Sequence, residues 1–287
     1  MNKVINKENF FEKLKHFPVR NTFIWNLLNP IVTFFCKVKE AKDHFDKIEL
    51  DKLILDNSRI DLFITDLTVK NGPFKGLVYD CMESAGSAIY PKLIGSYESE
   101  LHTQIETLIS QKNYTNVIDI GCAEGYYAVG FAKILPYASV YAYDIDKKAR
   151  ELCHRMALIN GVGQRLFIKN KISKEDLLNF NLDDSTLIIC DCEGFEKELF
   201  TLDLAKKLHR CDFIIEMHDN IDINISSELV SIFKKTHEIK LIKSIDDLQK
   251  AKTYDFLPDE ISLQAKRILY SERPFIMEWL ICISNYN

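Results

Sequence analysis

The pattern of apolar and polar positions changes near residue 113. Beyond it, short apolar runs recur, separated mostly by stretches with helical spacing: Val117–Ile120, Ser139–Tyr143, Arg165–Ile168, Thr186–Cys190, Phe213–Met217, Ile239–Ile245 and Trp279–Ile283. The early runs are almost wholly apolar, as in parallel strands covered on both faces. Strands alternating with helices predict an α/β fold, a Rossmann-like doubly wound and mostly parallel seven-stranded sheet.

Before residue 113 the pattern is irregular. Lys7–Phe17 and Ile48–Asp61 carry helical spacing, with Asn6 as N-cap of the first. Tyr97–Gln111 does too, with Leu101, Ile105, Leu108 and Ile109 on one face. Leu62–Val69 and Gly76–Tyr79 read as short strands around the turn signal Asn71-Gly72-Pro73. Phe23–Cys36 is the most apolar early stretch. It is too short to span a bilayer and is interrupted by Asn26, Asn29 and Pro30. It is expected as a helix or helix pair packed on the body, or as a peripheral membrane contact helped by Lys37 and Lys39. The plan is thus an N-terminal, mainly helical accessory and substrate-facing region over 1–112 and a core over 113–287.

Composition narrows the partners. The formal net charge is −5, whereas a nucleic-acid footprint is normally basic, so a DNA or RNA substrate is disfavoured. The eight cysteines include no C-x-x-C pair, and Cys190 and Cys192 are too close for a zinc site. Free thiols fit a reducing, cytoplasmic location. No secretory leader and no transmembrane run is visible.

The sharpest local feature is Val117-Ile118-Asp119-Ile120-Gly121-Cys122-Ala123-Glu124-Gly125-Tyr126-Tyr127, a buried strand running through a small-residue turn into a helix. The first crevice at the carboxyl ends of such a sheet is where ligands bind. Asp144 closes the next strand, where an acid accepts hydrogen bonds from both ribose hydroxyls of a nucleoside. A dinucleotide needs G-x-G-x-x-G; here Ala123 stands between Gly121 and Gly125, and Glu124 sits where a pyrophosphate would meet the helix start. S-adenosylmethionine carries no phosphate, and Asp119 can serve its ammonium end directly or through water. The expected cofactor is therefore S-adenosyl-L-methionine. Its expected contacts are Asp119, Gly121, Cys122, Ala123, Glu124, Gly125, Tyr126, Asp144, Ile145, Ile172 near the adenine, Asp191, and Tyr97 from the preceding helix.

At this point the chain resembles the FkbM-type methyltransferases. Asp119 to Tyr127 is similar to their first motif, and Ala157 to Val162 to the end of their second helix. Asp191-Cys192-Glu193-Gly194-Phe195-Glu196 resembles their D-x-E-G-x-E signature, and Phe213 to His218 their next strand. The match covers roughly residues 113 to 220. It implies O-methylation of a sugar, glycan or secondary metabolite, without choosing the acceptor.

The candidate chemistry follows from the strand ends. Asp191 and Glu193 close the fourth strand, and Glu216 and His218 the fifth. Methyl transfer to an alcohol needs in-line placement and removal of a proton. His218 is the natural base near neutral pH, with Asp191 next, as base or by orienting the hydroxyl, and Glu193 beside them. Glu196 reads as a helix cap. Nothing in the spacing demands a divalent metal such as Mg²⁺; if one is held, Asp191, Glu216 and His218 are the expected ligands. N- or C-methylation of a small molecule is the alternative chemistry, and a non-catalytic cofactor-binding module the alternative class. Asp191-Cys192-Glu193-Gly194 stands where amino-adenine methyltransferases carry an Asn/Asp-Pro-Pro-aromatic tetrad, which argues against nucleobase amines. The oligomeric state is left open.

Overall fold

The computed structural model describes residues 22–58, 60–180, 182–273 and 275–285. The expected helix Lys7–Phe17 and its cap Asn6 lie outside them. The chain forms two compact units, residues 1–57 and 58–287.

Among its described residues the first unit contains one helix, Thr22–Asp56, which continues through Pro30. It joins the Phe23–Cys36 stretch to most of Ile48–Asp61, where the sequence reading placed interruptions. Proline removes one main-chain donor and crowds the preceding turn; the remaining hydrogen bonds of so long a helix carry it past that point. Among the described residues no helix is long and apolar enough to cross a membrane.

The second unit is built on a seven-stranded sheet: β1 Asn116–Ile120, β2 Ser139–Tyr143, β3 Leu166–Lys169, β4 Thr186–Cys190, β5 Asp212–Met217, β6 His237–Lys243 and β7 Glu278–Ser284. Their order is β3-β2-β1-β4-β5-β7-β6. The first five are mutually parallel, while β7 runs antiparallel to both β5 and β6. All residues of β4 and β5 are buried, which explains the apolar runs Leu187–Cys190 and Phe213–Ile215. The expected Rossmann-like sheet is what forms.

Helices cover both faces. Val117, Val140 and Leu187 pack with Val129, Phe131, Cys153 and Met156 in one apolar cluster. Ile118, Ile188 and Phe213 pack with Leu204, Leu229 and Phe233 in the other. Between β1 and β4 the direction of strand progression reverses, which opens a crevice at their carboxyl ends.

Two expectations change upstream. Leu62–Val69 is not a strand. Ile60–Phe63 is a short helix, and only Thr68 and Val78 make an isolated antiparallel bridge. The backbone N–H of Lys70 donates to the carbonyl of Leu93 instead of continuing a ladder. The division of the chain also falls at residue 57, not at 112. Leu93, Leu101, Ile105 and Leu108 are buried in the same cluster as β1, so residues 58–112 share the sheet's core. Phe74 shows why: its ring meets Tyr126, Tyr127 and Phe131 edge-on, over Gly130, where an added Cβ would lie 2.6 Å from that ring.

Candidate active site

A cavity of about 640 Å³ opens at the carboxyl ends of β1, β2, β4 and β5. The β1 loop enters it as Asp119, Gly121, Cys122, Ala123 and Tyr126. Asp144 and Ile145 come from the end of β2, and Ile172 from beyond β3. Asp191 and Glu193 follow β4, Glu216 and His218 close β5, and Tyr97 reaches in from upstream. Residues proposed from strand-end logic in widely separated parts of the chain are thus brought to one cavity.

Asp144 is fixed by main chain. One carboxylate oxygen accepts from the N–H of Ala123 at 2.9 Å and the other from Asp146 at 2.8 Å. Each oxygen keeps a further lone pair for a ligand hydroxyl. Asp119 is different. It is buried, and its Oδ2 has no hydrogen-bond partner. Burial, then the negative charge of Asp191, pushes its carboxyl up to about 8. An unpartnered buried acid at a cavity wall is costly unless a ligand answers it.

Three expected cofactor contacts have other roles. Glu124 does not line the cavity; it is buried in an ion pair with Lys92 and also accepts from the N–H of Ala85 at 3.0 Å. Burial alone would raise its carboxyl, but the Lys92 charge and hydrogen bond hold it below the ordinary range. Its charge is therefore spent inside the protein, so the charge argument against a pyrophosphate is lost and the glycine spacing alone remains. Gly125 also stands back from the cavity. A Cβ there would meet Cys153 Sγ at 2.8 Å, so the glycine lets one helix approach another. Gly121 does line the cavity, but a Cβ on it would lie 1.6 Å from the carbonyl oxygen of Asp191. Its bareness is demanded by β4 before any ligand arrives.

The polar groups of β4 and β5 meet around His218, which is almost wholly buried. Its Nδ1 lies 2.8 Å from Oε1 of Glu196, and its Nε2 faces Asp191 Oδ1 at 3.4 Å and Glu193 Oε2 at 3.6 Å. Burial alone would lower the imidazole; the hydrogen bond and charge of Glu196, with Asp191 and Glu193, outweigh it and raise it above its ordinary value. Burial likewise pushes Asp191 up to about 6, against the opposing pull of His218. Glu196, expected only as a cap, also accepts the N–H groups of Cys192 and Gly194, at 3.1 and 3.3 Å. One carboxylate thus fixes both the loop after β4 and the ring of His218.

Glu216 is shared: Oε2 faces Nε2 of His218 at 3.8 Å, while Oε1 is held elsewhere. It pairs with Arg273, whose guanidinium also grips Glu98, and Glu98 accepts from the hydroxyl of Tyr127. The tight grouping of metal-capable atoms is therefore Asp191, Glu193 and His218, with Glu193 in the place expected of Glu216. Arg273 escaped the sequence reading because its partners lie 57 and 175 residues away, beyond any local spacing rule. Ala123, Glu193 and Glu98 all hold positive φ, at 48°, 55° and 46°. Such backbone strain outside glycine collects at functional sites.

No family model matches this sequence. A release factor glutamine methyltransferase from Flavobacterium psychrophilum is 38% identical over 69 residues, a stretch covering 24% of this chain and 24% of that protein. The chain thus spans about a quarter of the length of that curated relative. Among solved structures, cofactor-bound Rv0187 from MTB matches 67% of this chain and 81% of its own, at 10% identity and a TM-score of 0.46. The O-methyltransferase from Bacillus cereus in complex with SAH matches 63% of this chain and 79% of its own, at 12% identity and a TM-score of 0.45.

Proposed function

We propose that this chain is an S-adenosylmethionine-dependent methyltransferase that transfers the methyl group to a hydroxyl of a sugar, glycan or other small metabolite. The carrying observation is the pair of acids at the ends of β1 and β2. Asp119 and Asp144 face the same cavity, one buried and unanswered, the other held by main chain with lone pairs to spare. An ammonium for the first and a ribose for the second are both supplied by this cofactor. The partial likeness to a curated methyltransferase and the resemblance of residues 119–127 and 191–196 to FkbM-type motifs support the same reading.

Held by Asp119 and Asp144, S-adenosylmethionine would supply an electrophilic methyl group to the acceptor oxygen and would be left as S-adenosylhomocysteine. The cluster after β4 and β5 would orient the acceptor hydroxyl, and its proton would pass to His218 or Asp191. Glu196 acts as a positioning residue by fixing the ring of His218. Of residues 58–112, Ala85, Gly86, Ser87, Lys92 and Tyr97 line the cavity, and these are assigned to the acceptor side of the enzyme.

Calorimetric titration with S-adenosylmethionine, S-adenosylhomocysteine and NAD tests the reading. Micromolar binding of the first two and none of NAD is expected. No binding of either sulfur compound moves the chain to the non-catalytic class. Asp144→Ala should weaken cofactor binding about 10- to 100-fold, the value of one hydrogen bond to a charged acceptor. His218→Gln should leave that affinity within about twofold, since the ring faces the acceptor side, while turnover falls by roughly 100-fold or more. Equal losses in binding and turnover would remove His218 from the transfer step.

A further inference from the structure

We propose that Asp191, Glu193 and His218 form a binding site for one divalent metal ion. One donor atom from each lies within 4.8 Å of the other two. A carboxylate cluster alone would say little, but here the imidazole is aimed. Nδ1 is taken by Glu196 at 2.8 Å, so Nε2 is the atom turned to the cluster. Its nearest acidic oxygens, on Asp191, Glu193 and Glu216, stand at 3.4, 3.6 and 3.8 Å. His218 is 3% exposed and turns Nε2 toward the cavity it lines. Oδ1 of Asp191, facing it, is buried and has no hydrogen-bond partner.

These separations suit a shared ion. Metal–ligand bonds of about 2.0–2.3 Å place adjacent donor atoms roughly 3–3.7 Å apart. Glu193 is largely exposed and has the freedom to close the widest gap. The support beneath the donors fits as well. Glu196 accepts from the loop carrying Asp191 and Glu193 and also holds the ring of His218, the outer arrangement that fixes a ligating histidine's orientation. Arg273 holds Oε1 of Glu216, and Oε2 stands farther from Nε2 than the oxygens of Asp191 and Glu193. Two carboxylate oxygens and one imidazole nitrogen suit Mn²⁺ or Zn²⁺. The use of the ion, to seat and acidify an acceptor hydroxyl, rests on the transfer reading above and, with Nε2 of His218 on the ion, leaves the hydroxyl proton to a carboxylate oxygen of Asp191; the binding of the ion rests on neither.

The test is titration of the whole chain, without cofactor, with Mn²⁺ alone, followed by electron paramagnetic resonance. One Mn²⁺ per chain is expected, with a nitrogen hyperfine coupling from one imidazole. Asp191→Asn and Glu193→Gln should each weaken binding at least tenfold. Glu196→Gln should weaken it about 10- to 100-fold with stoichiometry unchanged. His218→Gln should erase the nitrogen coupling. No saturable uptake, bound Mn²⁺ without nitrogen coupling, or affinity unchanged from the parent in the two carboxylate variants would overturn the site. The first two readouts need only the unaltered protein, so a variant that fails to fold does not blunt the test. Saturable Mn²⁺ uptake with no affinity for S-adenosylhomocysteine would keep the metal site and remove the transfer reading.

Discussion

Gly121→Ala is expected to break the cofactor loop from within the protein. The added methyl would lie 1.6 Å from the carbonyl oxygen of Asp191, and the residue sits at φ 86°. The backbone atoms in contact cannot rotate away as a side chain would. Either the loop after β1 or the turn after β4 must shift, and both carry site residues. A cost of about 3–5 kcal/mol is expected, a fall in Tm of roughly 6–15 °C, together with loss of cofactor binding. Gly161 provides the internal control. It holds φ 70°, but an added Cβ there meets nothing within 4 Å. Gly161→Ala should therefore cost only the left-handed strain, about 1–2 kcal/mol, and leave affinity intact. Thermal denaturation and calorimetry on the two variants decide the matter; equal effects would mean that the Asp191 carbonyl gives way easily.

Asp119→Asn should separate stability from binding. The acid is raised to about 8 in the folded chain, chiefly by burial, against an ordinary value near 4. Between those values the folded state holds a proton that the unfolded state has released. Folding stability contributed by this group is thus full below about pH 4 and falls as pH rises toward 8. Asparagine removes that penalty. The free variant should melt roughly 3–6 °C higher at pH 8, with the difference shrinking toward pH 4. Cofactor affinity should move the other way, falling about 10- to 100-fold with the loss of a charge-assisted contact to the ammonium. A variant no more stable at pH 8, or one that binds the cofactor as tightly as the parent, would show that the unpartnered oxygen awaits no cation.

Much of this fold is legible in the chain because parallel strands are buried on both faces. Runs such as Leu187-Ile188-Ile189-Cys190 have no polar alternation to confuse them with surface strands. Asp119, Asp144, Asp191 and His218 were legible too, since each follows such a run and strand ends share one rim. What was not legible depended on contacts across the fold. Val69 and Leu93 look unremarkable until seen in the same cluster as β1, which moves the division of the chain from residue 112 to 57. Glu124 and Gly125 sit inside a motif that suggests ligand contact, yet the partners that explain them, Lys92 and Cys153, are about thirty residues away. Glu196 had the spacing of a cap; only β5 at its side reveals the hydrogen bond to His218. Arg273 lies in a segment with neither helical nor strand periodicity.

The reversed direction of β7 also has a bearing on the order in which the protein is made. A strand antiparallel to β5 begins where β5 ends, so the residues just before β7 arrive at the cavity rim: Glu272, Arg273, Phe275 and Met277. Arg273 then joins Glu98 to Glu216. On the ribosome, β1 to β5 can pair while the remainder of the chain is still being added. The cavity wall that bears Arg273 has to wait for β7 to insert beside β5, so a nascent chain can own a nearly finished sheet and still have an open, unbalanced site.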